Sequence, residues 1–145
     1  MPSPITEGAP AARLKFLDAA LYAIVMNVGL RWIAVAAAVG VKLDPTKGTI
    51  AFSTWSCLQR AGPGVVVSID TGERVYYYGD SGTLDLNATS TANAGGLGVI
   101  WNVEPGARRL EAKLDGVGTR VATYLVQVVA DSLTEAVLDP TPEGN

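Results

Sequence analysis

The sequence predicts a mainly β fold, a seven-stranded antiparallel β-sandwich of immunoglobulin-like type that follows an N-terminal α-helical segment. Three observations lead to this prediction. The 145 residues suffice for one domain, and 48% of them are apolar, which suffices for a core. After residue 48, short runs with alternating apolar side chains are separated by turns rich in Gly, Pro and Asp. Seven such runs at regular spacing are typical of a sandwich.

The N-terminal third of the sequence is predicted to be an irregular arm followed by an apolar helical segment. Residues 1–10 contain three prolines and few apolar side chains, which favours irregular structure. Residues 11–43 carry apolar side chains in steps of three and four, the spacing of one helix face. Gly29 is a candidate bend, and Gly40 a candidate helix end. The predicted interaction surface on this face comprises Leu14, Leu17, Leu21, Ile24, Val28 and Trp32.

Residues 19–41 also have the length of a membrane span. They include one charge, Arg31, and one amide, Asn27, and about 20 apolar residues cross a bilayer. An arginine near the middle of a span costs about 2.5–3.5 kcal/mol on insertion scales, which apolar neighbours can offset. We favour an amphipathic helix packed on a sheet, and membrane contact through residues 19–41 is the alternative.

The strand-like part of the sequence begins after a turn at residues 44–48, where Pro45 and Gly48 fit a type I turn. We expect residues 48–131 to form the sandwich domain. Residues 132–145 are expected to be a semi-extended tail that can pair with the sheet edge of a neighbouring molecule. The seven predicted strands are Thr49–Cys57, Gly64–Asp70, Val75–Tyr78, Leu84–Ser90, Leu97–Val103, Ala107–Leu114 and Arg120–Ala130.

Alternation within these runs assigns side chains to faces. The last run is apolar on both faces, as expected of a central strand. Tyr77 is expected to point opposite to its two tyrosine neighbours. At least one face of this aromatic run is therefore expected to lie in the core, and a carbohydrate-binding face that includes Tyr77 and Trp101 is the alternative. In the fifth run, one side is predicted to hold Leu97, Val99, Trp101 and Val103.

The composition excludes several classes of chemistry. The chain has no histidine, which is the commonest general base and metal ligand, and its single cysteine cannot form an intramolecular disulfide. Cys57 is expected to be a small buried thiol. The net charge of −3 argues against a nucleic-acid partner, although residues 1–48 carry a net +2 and the remainder −5. We therefore predict no catalytic residue, no cofactor and no bound metal.

Two short motifs resemble protease signatures. Gly79–Gly82 has the letters of the nucleophile loop of trypsin-like proteases, but that chemistry requires an imidazole. Asp70-Thr71-Gly72 resembles the active-site triplet of aspartic proteases, in which two carboxylates of a dimer share a proton without histidine. A homodimeric aspartic protease that uses Asp70 is therefore an alternative. We favour a hairpin turn, because Gly72 tolerates positive φ and Glu73 would add a charge beside the shared proton.

The order of the segments after residue 48 carries a family resemblance. A strand, a polar turn at Leu58–Pro63 and a Gly-led second strand come first. A glycine-containing turn, an apolar strand, the bend Asn102–Gly106 and a strongly alternating strand follow. This order resembles the carboxypeptidase regulatory-like domain, a transthyretin-like (prealbumin-type) sandwich of seven strands. The resemblance covers residues 48–130, and Glu104 stands where that family has the first proline of its bend.

The resemblance implies a non-catalytic domain of exported proteins that serves adhesion, folding support or protein contact. The N-terminal helix is also similar to that of bacterial envelope lipoproteins that carry this sandwich. We therefore expect an extracellular or cell-envelope location, with a second copy or another envelope protein as partner. Because apolar residues crowd residues 14–43, we predict a homo-oligomer or fibre assembled through the helix. The alternative is a carbohydrate- or protein-binding module of a membrane-anchored protein.

Overall fold

In a computed structural model, residues 32–55, 62–92 and 96–139 are described, and within them the fold is mainly β. A helical segment spans residues 32–38, and eight strands follow. The mainly β prediction is confirmed, with eight strands in place of seven. The strands are β1 (Gly48–Thr54), β2 (Val65–Ile69), β3 (Val75–Tyr78), β4 (Leu84–Asp85), β5 (Leu97–Val103), β6 (Gly106–Leu114), β7 (Arg120–Val128) and β8 (Leu133–Leu138).

The strands form two sheets. One sheet has five strands in the order β4-β3-β5-β1-β8, and the other has three in the order β2-β6-β7. Neighbouring strands are antiparallel except β1 and β8, which run parallel from the pair Thr49 and Leu133 to the pair Thr54 and Leu138. The five-stranded sheet is therefore mixed, which corrects the prediction of an antiparallel fold.

An apolar core is built from side chains of both sheets, with contributions from seven of the described strands. Its most deeply buried members are Ile50, Ile100, Val103, Leu110 and Val128. Burial of one such side chain contributes about 1.5–3 kcal/mol. The described parts of the two sheets are therefore held together mainly by apolar packing.

Gly98 on β5 faces this core between two aromatic rings. It is the register partner of Phe52 on β1 and of Tyr77 on β3. The two rings meet edge to face with their centroids 6.1 Å apart. A Cβ at Gly98 would lie 2.1 Å from the Phe52 ring, so the missing side chain makes room for this contact. The Tyr77 hydroxyl also reaches β2 of the other sheet, where it accepts a hydrogen bond from the Val67 N–H at 2.8 Å.

Strand β5 has the predicted bounds, but its faces change at Asn102. Val99 and Trp101 lie in a second apolar cluster, whereas Val103 belongs to the core. The prediction of one shared side is therefore wrong for Val103. Asn102 has a φ of 57°, a left-handed conformation that asparagine tolerates, and the register with β1 shifts at this point. A bulge of this kind adds one residue and turns the next side chain to the other face.

Three further elements differ from the prediction. The fourth predicted strand is reduced to two residues, because Asp85 Oδ1 accepts a hydrogen bond from the Asn87 N–H at 2.9 Å in the turn that follows. Strand β7 lies at the edge of the three-stranded sheet rather than at its centre, and Leu125 on it is 79% exposed. Strand β8 arises from the predicted tail and pairs with β1 of the same chain, which replaces the expected pairing with a neighbour at those residues.

Two predicted reversals are confirmed. In the turn before β1, the Lys47 N–H donates to the Asp44 carbonyl at 3.0 Å. The N–H and hydroxyl of Thr46 both donate to Asp44 Oδ1, and these bonds lower the pKa of that carboxyl. The reversal between β5 and β6 contains Gly106 with a φ of 118°. The Arg108 guanidinium donates to the carbonyls of Glu104 and Pro105 at 2.8 and 2.7 Å and holds this bend.

Candidate functional site

The helical segment packs on the outer face of the five-stranded sheet, the face that points away from the core. Ala36 is fully buried there in a cluster with Val99 and Trp101. The Trp32 ring meets Tyr78 edge to face at 5.7 Å, and burial raises the pKa of the Tyr78 hydroxyl. The expected packing of a helix on a sheet is therefore present at residues 32–38.

Asn102 connects this helix to the sheet. Its side-chain Oδ1 accepts a hydrogen bond from the Asp44 N–H at 2.8 Å, and its Nδ2 donates to the Lys42 carbonyl at 2.9 Å. Both partners lie in the segment between the helix and β1. The bulge in β5 thus also fixes the path by which the chain leaves the helix.

An apolar groove lies beside the helix on the same outer face, and we call it the outer groove. It has a volume of about 690 Å³. Trp32 and Val35 line it from the helix, Ala51 from β1, Leu97 from β5 and Val137 from β8. Leu97 is 44% and Val137 54% exposed. The groove is therefore an apolar surface that the helix borders through Trp32 and Val35, while Leu97 and Val137 remain partly exposed to solvent.

Charged side chains line both the outer groove and a second, smaller recess near the helix. Glu135 on β8 lines the outer groove. A smaller recess of about 330 Å³ also borders Trp32 and is lined by Asp44, Lys47 and Asp131 among others. Lys47 forms an ion pair with Glu104 at 2.9 Å, and this bond raises the pKa of the Lys47 ammonium. Three charged side chains thus line the recess together with apolar residues such as Ile33 and Leu43, whereas Glu135 is, among the described residues, the one charged side chain that lines the outer groove.

Of the predicted interaction residues, Trp32 lies at the outer groove. The other five, Leu14, Leu17, Leu21, Ile24 and Val28, lie outside the described residues, as does Cys57. Sequence reasoning missed Leu97 and Val137 as groove residues. The signal for Val137 was the run Leu133–Leu138, whose β-branched and apolar residues follow a turn and indicate a further strand.

The two candidate ligand-face residues are both buried. Tyr77 is 3% exposed in the core, and Trp101 is 4% exposed beneath the helix. Tyr76 packs on Trp101 at 4.8 Å and lies on the face opposite to Tyr77, as the alternation predicted. Neither Tyr77 nor Trp101 presents a ring face for stacking on a sugar, which corrects their assignment as candidate ligand-face residues. Tyr77 lies in the core between the sheets, and Trp101 lies in the second apolar cluster between the five-stranded sheet and the helix.

Asp70 lies on an exposed turn between β2 and β3. Its N–H donates to the Arg109 carbonyl at 3.0 Å, and its Oδ2 accepts from the Arg109 N–H at 3.1 Å. Gly72 has a φ of 80° and donates to the Ile69 carbonyl at 3.0 Å, which closes the turn. The carboxylate of Asp70 therefore extends the pairing of β2 with β6.

Two further expectations, on metal binding and on a membrane span, concern segments of which only part is described. No group of three or more His, Cys, Asp or Glu side chains with the arrangement of a metal site occurs within residues 32–55, 62–92 and 96–139. Over the same ranges, no helix has the length and hydropathy of a membrane span. Of the candidate span, residues 32–41 are described, and several of their side chains pack on the sheet.

Comparisons with known proteins add no relative to this description. No protein-family profile matches the chain, and no functionally characterised protein matches it significantly.

Proposed function

We propose that this chain is a non-enzymatic structural or interaction module that associates with copies of itself. The outer groove is the observation that carries the proposal. Large exposed apolar surfaces on a folded protein commonly mark contact sites. Leu97 and Val137 supply such a surface, and it is continuous with Trp32, which the sequence pattern assigns to an interaction face.

The contrast between the outer faces of the two sheets supports the proposal. On the three-stranded sheet, the outer face carries Arg109, Glu111 and Lys113, and the last two form an ion pair at 2.7 Å. Leu125 is the most exposed large apolar side chain among the described residues, yet it lies among these polar neighbours as the register partner of Arg109. The apolar outer groove belongs to the other sheet, so one side of the molecule is the favoured contact side.

We further propose that the two sheets form a β-sandwich of the carboxypeptidase regulatory-like kind, and that the protein acts in the cell envelope or outside the cell. The order of strand, turn and bend segments supports the family proposal, including the reversal at Pro105 and Gly106. The location follows from the resemblance rather than from the groove, because a fold by itself does not determine a function.

The proposal is tested by the solution mass of the intact protein, measured by light scattering without detergent and with a reductant. We expect a discrete oligomer or polymer of the 15.1 kDa chain. The double variant Leu97→Ser with Val137→Ser should weaken association at least about tenfold, because it removes apolar area from the contact. A monomeric wild-type protein would contradict the proposal.

Leu125→Ser is the matched control, since it removes an equally large apolar side chain that is 79% exposed on the opposite sheet. We expect its mass distribution to equal that of the wild type. Equal weakening by both changes would indicate nonspecific adhesion and would overturn the assignment of the contact to the outer groove. Circular dichroism of each variant verifies that the sheets remain folded.

A further inference from the structure

We infer that β8 of one chain pairs with β8 of a second copy, so that the five-stranded sheets of the two copies join into one continuous sheet. This inference rests on the proposed self-association and names the strand that carries it. One edge of β8 pairs with β1, and within the described part of the chain no strand pairs with its other edge. An unpaired strand edge is a template for the addition of a further strand.

The free edge of β8 consists of the backbone groups of Leu133, Glu135 and Val137. The Leu138 carbonyl accepts a hydrogen bond from the Trp55 N–H at 3.1 Å, so the even-numbered residues of β8 direct their backbone groups to β1. Because these groups alternate between the two edges of a strand, those of the odd-numbered residues point away from β1. The side chains of Glu135 and Val137 are exposed as well. The edge thus offers backbone donors and acceptors to a second strand.

The edge of β2, in contrast, is closed by side-chain hydroxyls. The Tyr77 hydroxyl accepts a hydrogen bond from the Val67 N–H at 2.8 Å and donates to the Val67 carbonyl at 3.3 Å. The Thr91 hydroxyl accepts from the Val65 N–H at 2.9 Å. β4, at the far side of the five-stranded sheet, has only two residues. Of the outer edges of the two described sheets, those of β7 and β8 therefore remain.

β7 is the less favourable of these two edges. The Thr134 hydroxyl donates to the Gln127 carbonyl at 3.1 Å and so occupies one of its outward groups. The Asp70 N–H donates to the Arg109 carbonyl at 3.0 Å, so Arg109 directs its backbone to β2. Its register partner Leu125 therefore directs its own backbone away from β6, to the free edge. Charged side chains lie beside this edge on the outer face of its sheet, whereas β8 borders the apolar outer groove.

The side-chain pattern of β8 favours one antiparallel register with its copy. Every second residue from Leu133 to Asp139 is in turn apolar and acidic. Glu135 placed opposite Glu135 of the second copy would bring two carboxylates face to face, which is unfavourable. A shift by two residues places Glu135 of each copy opposite Val137 of the other. Each such pair exchanges two backbone hydrogen bonds, and a two-fold axis relates the copies.

The strand pairing and the outer groove share Val137. A two-fold axis perpendicular to the sheet keeps the outer grooves of both copies on one face of the joined sheet. Val137, which is 54% exposed and lines the groove, is then covered at the junction by Glu135 of the second copy. A second copy is therefore the partner that fits this edge, because one contact pairs the backbone and covers an apolar side chain.

Glu135→Pro tests the inference, because proline removes the outward N–H and leaves the bonds between β8 and β1 in place. By light scattering, we expect this variant to weaken association at least about tenfold, since two hydrogen bonds between the copies are lost. Glu135→Thr is the matched control, because it removes the same side chain but keeps the N–H, and it should associate at least as well as the wild type. Leu125→Pro removes an outward N–H from β7 instead and should have the mass distribution of the wild type. Circular dichroism verifies that the sheets of each variant remain folded.

Amide hydrogen exchange of the wild type, measured by NMR at several protein concentrations, tests the same pairing without a variant. The amides of Glu135 and Val137 should exchange at least about tenfold more slowly in the associated protein than in the dilute monomer. The amides of Thr134 and Ala136 point to β1 and should be protected at every concentration. This measurement decides the question if Glu135→Pro does not fold.

The outcomes separate this inference from the proposed function. An oligomer that Glu135→Pro leaves intact, or one in which the amides of Glu135 and Val137 stay unprotected, would overturn the inference, while association through the outer groove would stand. Weakening by Leu125→Pro in place of Glu135→Pro would overturn it as well, because the contact would then lie at β7. A monomeric wild-type protein would overturn the inference and the proposed function together. Weakening by Glu135→Pro alone, with protection of these two amides on association, would support the inference.

Discussion

At the scale of single residues, Gly98 shows how one missing side chain organises a core. It lies between Phe52 and Tyr77 on the two neighbouring strands, and the rings close over it. Any side chain at this position would force the Phe52 ring out of its place. Glycine within a strand usually weakens the sheet, and here the aromatic contact offsets that loss.

We therefore expect Gly98→Ala to destabilise the fold by about 1–3 kcal/mol, the usual cost of an overfilled core. Gly79→Ala is the control, because a Cβ there would meet its nearest neighbour at an ordinary 3.6 Å. Urea unfolding followed by tryptophan fluorescence measures both variants. If Gly98→Ala were as stable as Gly79→Ala, the described packing of Phe52 on Gly98 would be incorrect.

At the scale of elements, the attachment of β8 to the core depends on one face of its six residues, Leu133–Leu138. Leu138 is 2% exposed in the core, whereas the neighbouring Val137 points to the outer face. The two side chains are adjacent in sequence and similar in chemistry. Their different surroundings come only from strand alternation.

Leu138→Ala should accordingly lower the free energy of unfolding by about 2–5 kcal/mol, the usual cost of a core cavity. Val137→Ala should change it by less than about 1 kcal/mol when it is measured by chemical denaturation at high dilution. Equal effects of the two substitutions would mean that β8 does not dock on β1 with the described faces.

The elements also show what sequence patterns can and cannot predict. The bounds of β3 and β5 follow from local alternation and agree with the prediction. The edge position of β7 could not be predicted in this way, because strand composition alone does not determine the order of strands in a sheet. The parallel pairing of β8 with β1 joins segments more than eighty residues apart, and neither segment contains a local signal for it.

The candidate site could likewise be predicted only in part from the sequence. Trp32 was predicted from helical spacing, which is a local property, and it lies at the outer groove. The groove itself combines side chains from the helix and from several strands, so it exists only once the sheet order is known. Tyr77 and Trp101 were singled out as aromatic residues, but their burial depends on the layers that cover each face.

At the scale of the whole molecule, the described residues form three layers. The three-stranded sheet lies on one side of the core, the five-stranded sheet on the other, and the helical segment forms a partial third layer beyond it. Several tyrosines are placed within or between these layers. Burial raises the pKa of the hydroxyls of Tyr77, Tyr78 and Tyr124.

These tyrosines predict a loss of stability at alkaline pH. Below about pH 10, the ordinary tyrosine pKa, the hydroxyls are protonated in both the folded and the unfolded chain, and the full stability is present. At higher pH the unfolded chain releases these protons first, so stability falls as the pH rises through the raised pKa values of the folded state.

Urea unfolding between pH 8 and pH 12, with tyrosinate absorbance recorded in parallel, measures this loss. Tyr77→Phe should reduce the slope of stability against pH above pH 10. Because the chain has no histidine, we expect no side-chain titration step between pH 6 and pH 8. Stability that stays constant up to pH 12 would contradict the described burial of these hydroxyls.

The side-by-side position of β1 and β8 has a consequence for how the protein folds. The first and last described strands must meet before the five-stranded sheet is complete, and closing so long a loop costs entropy before any contact repays it. The hairpin of β6 and β7, joined by five residues, can form early. We therefore expect β8 to dock late and slowly during folding. Until it docks, the edge of β1 has unpaired backbone groups, and two folding intermediates would associate through this edge.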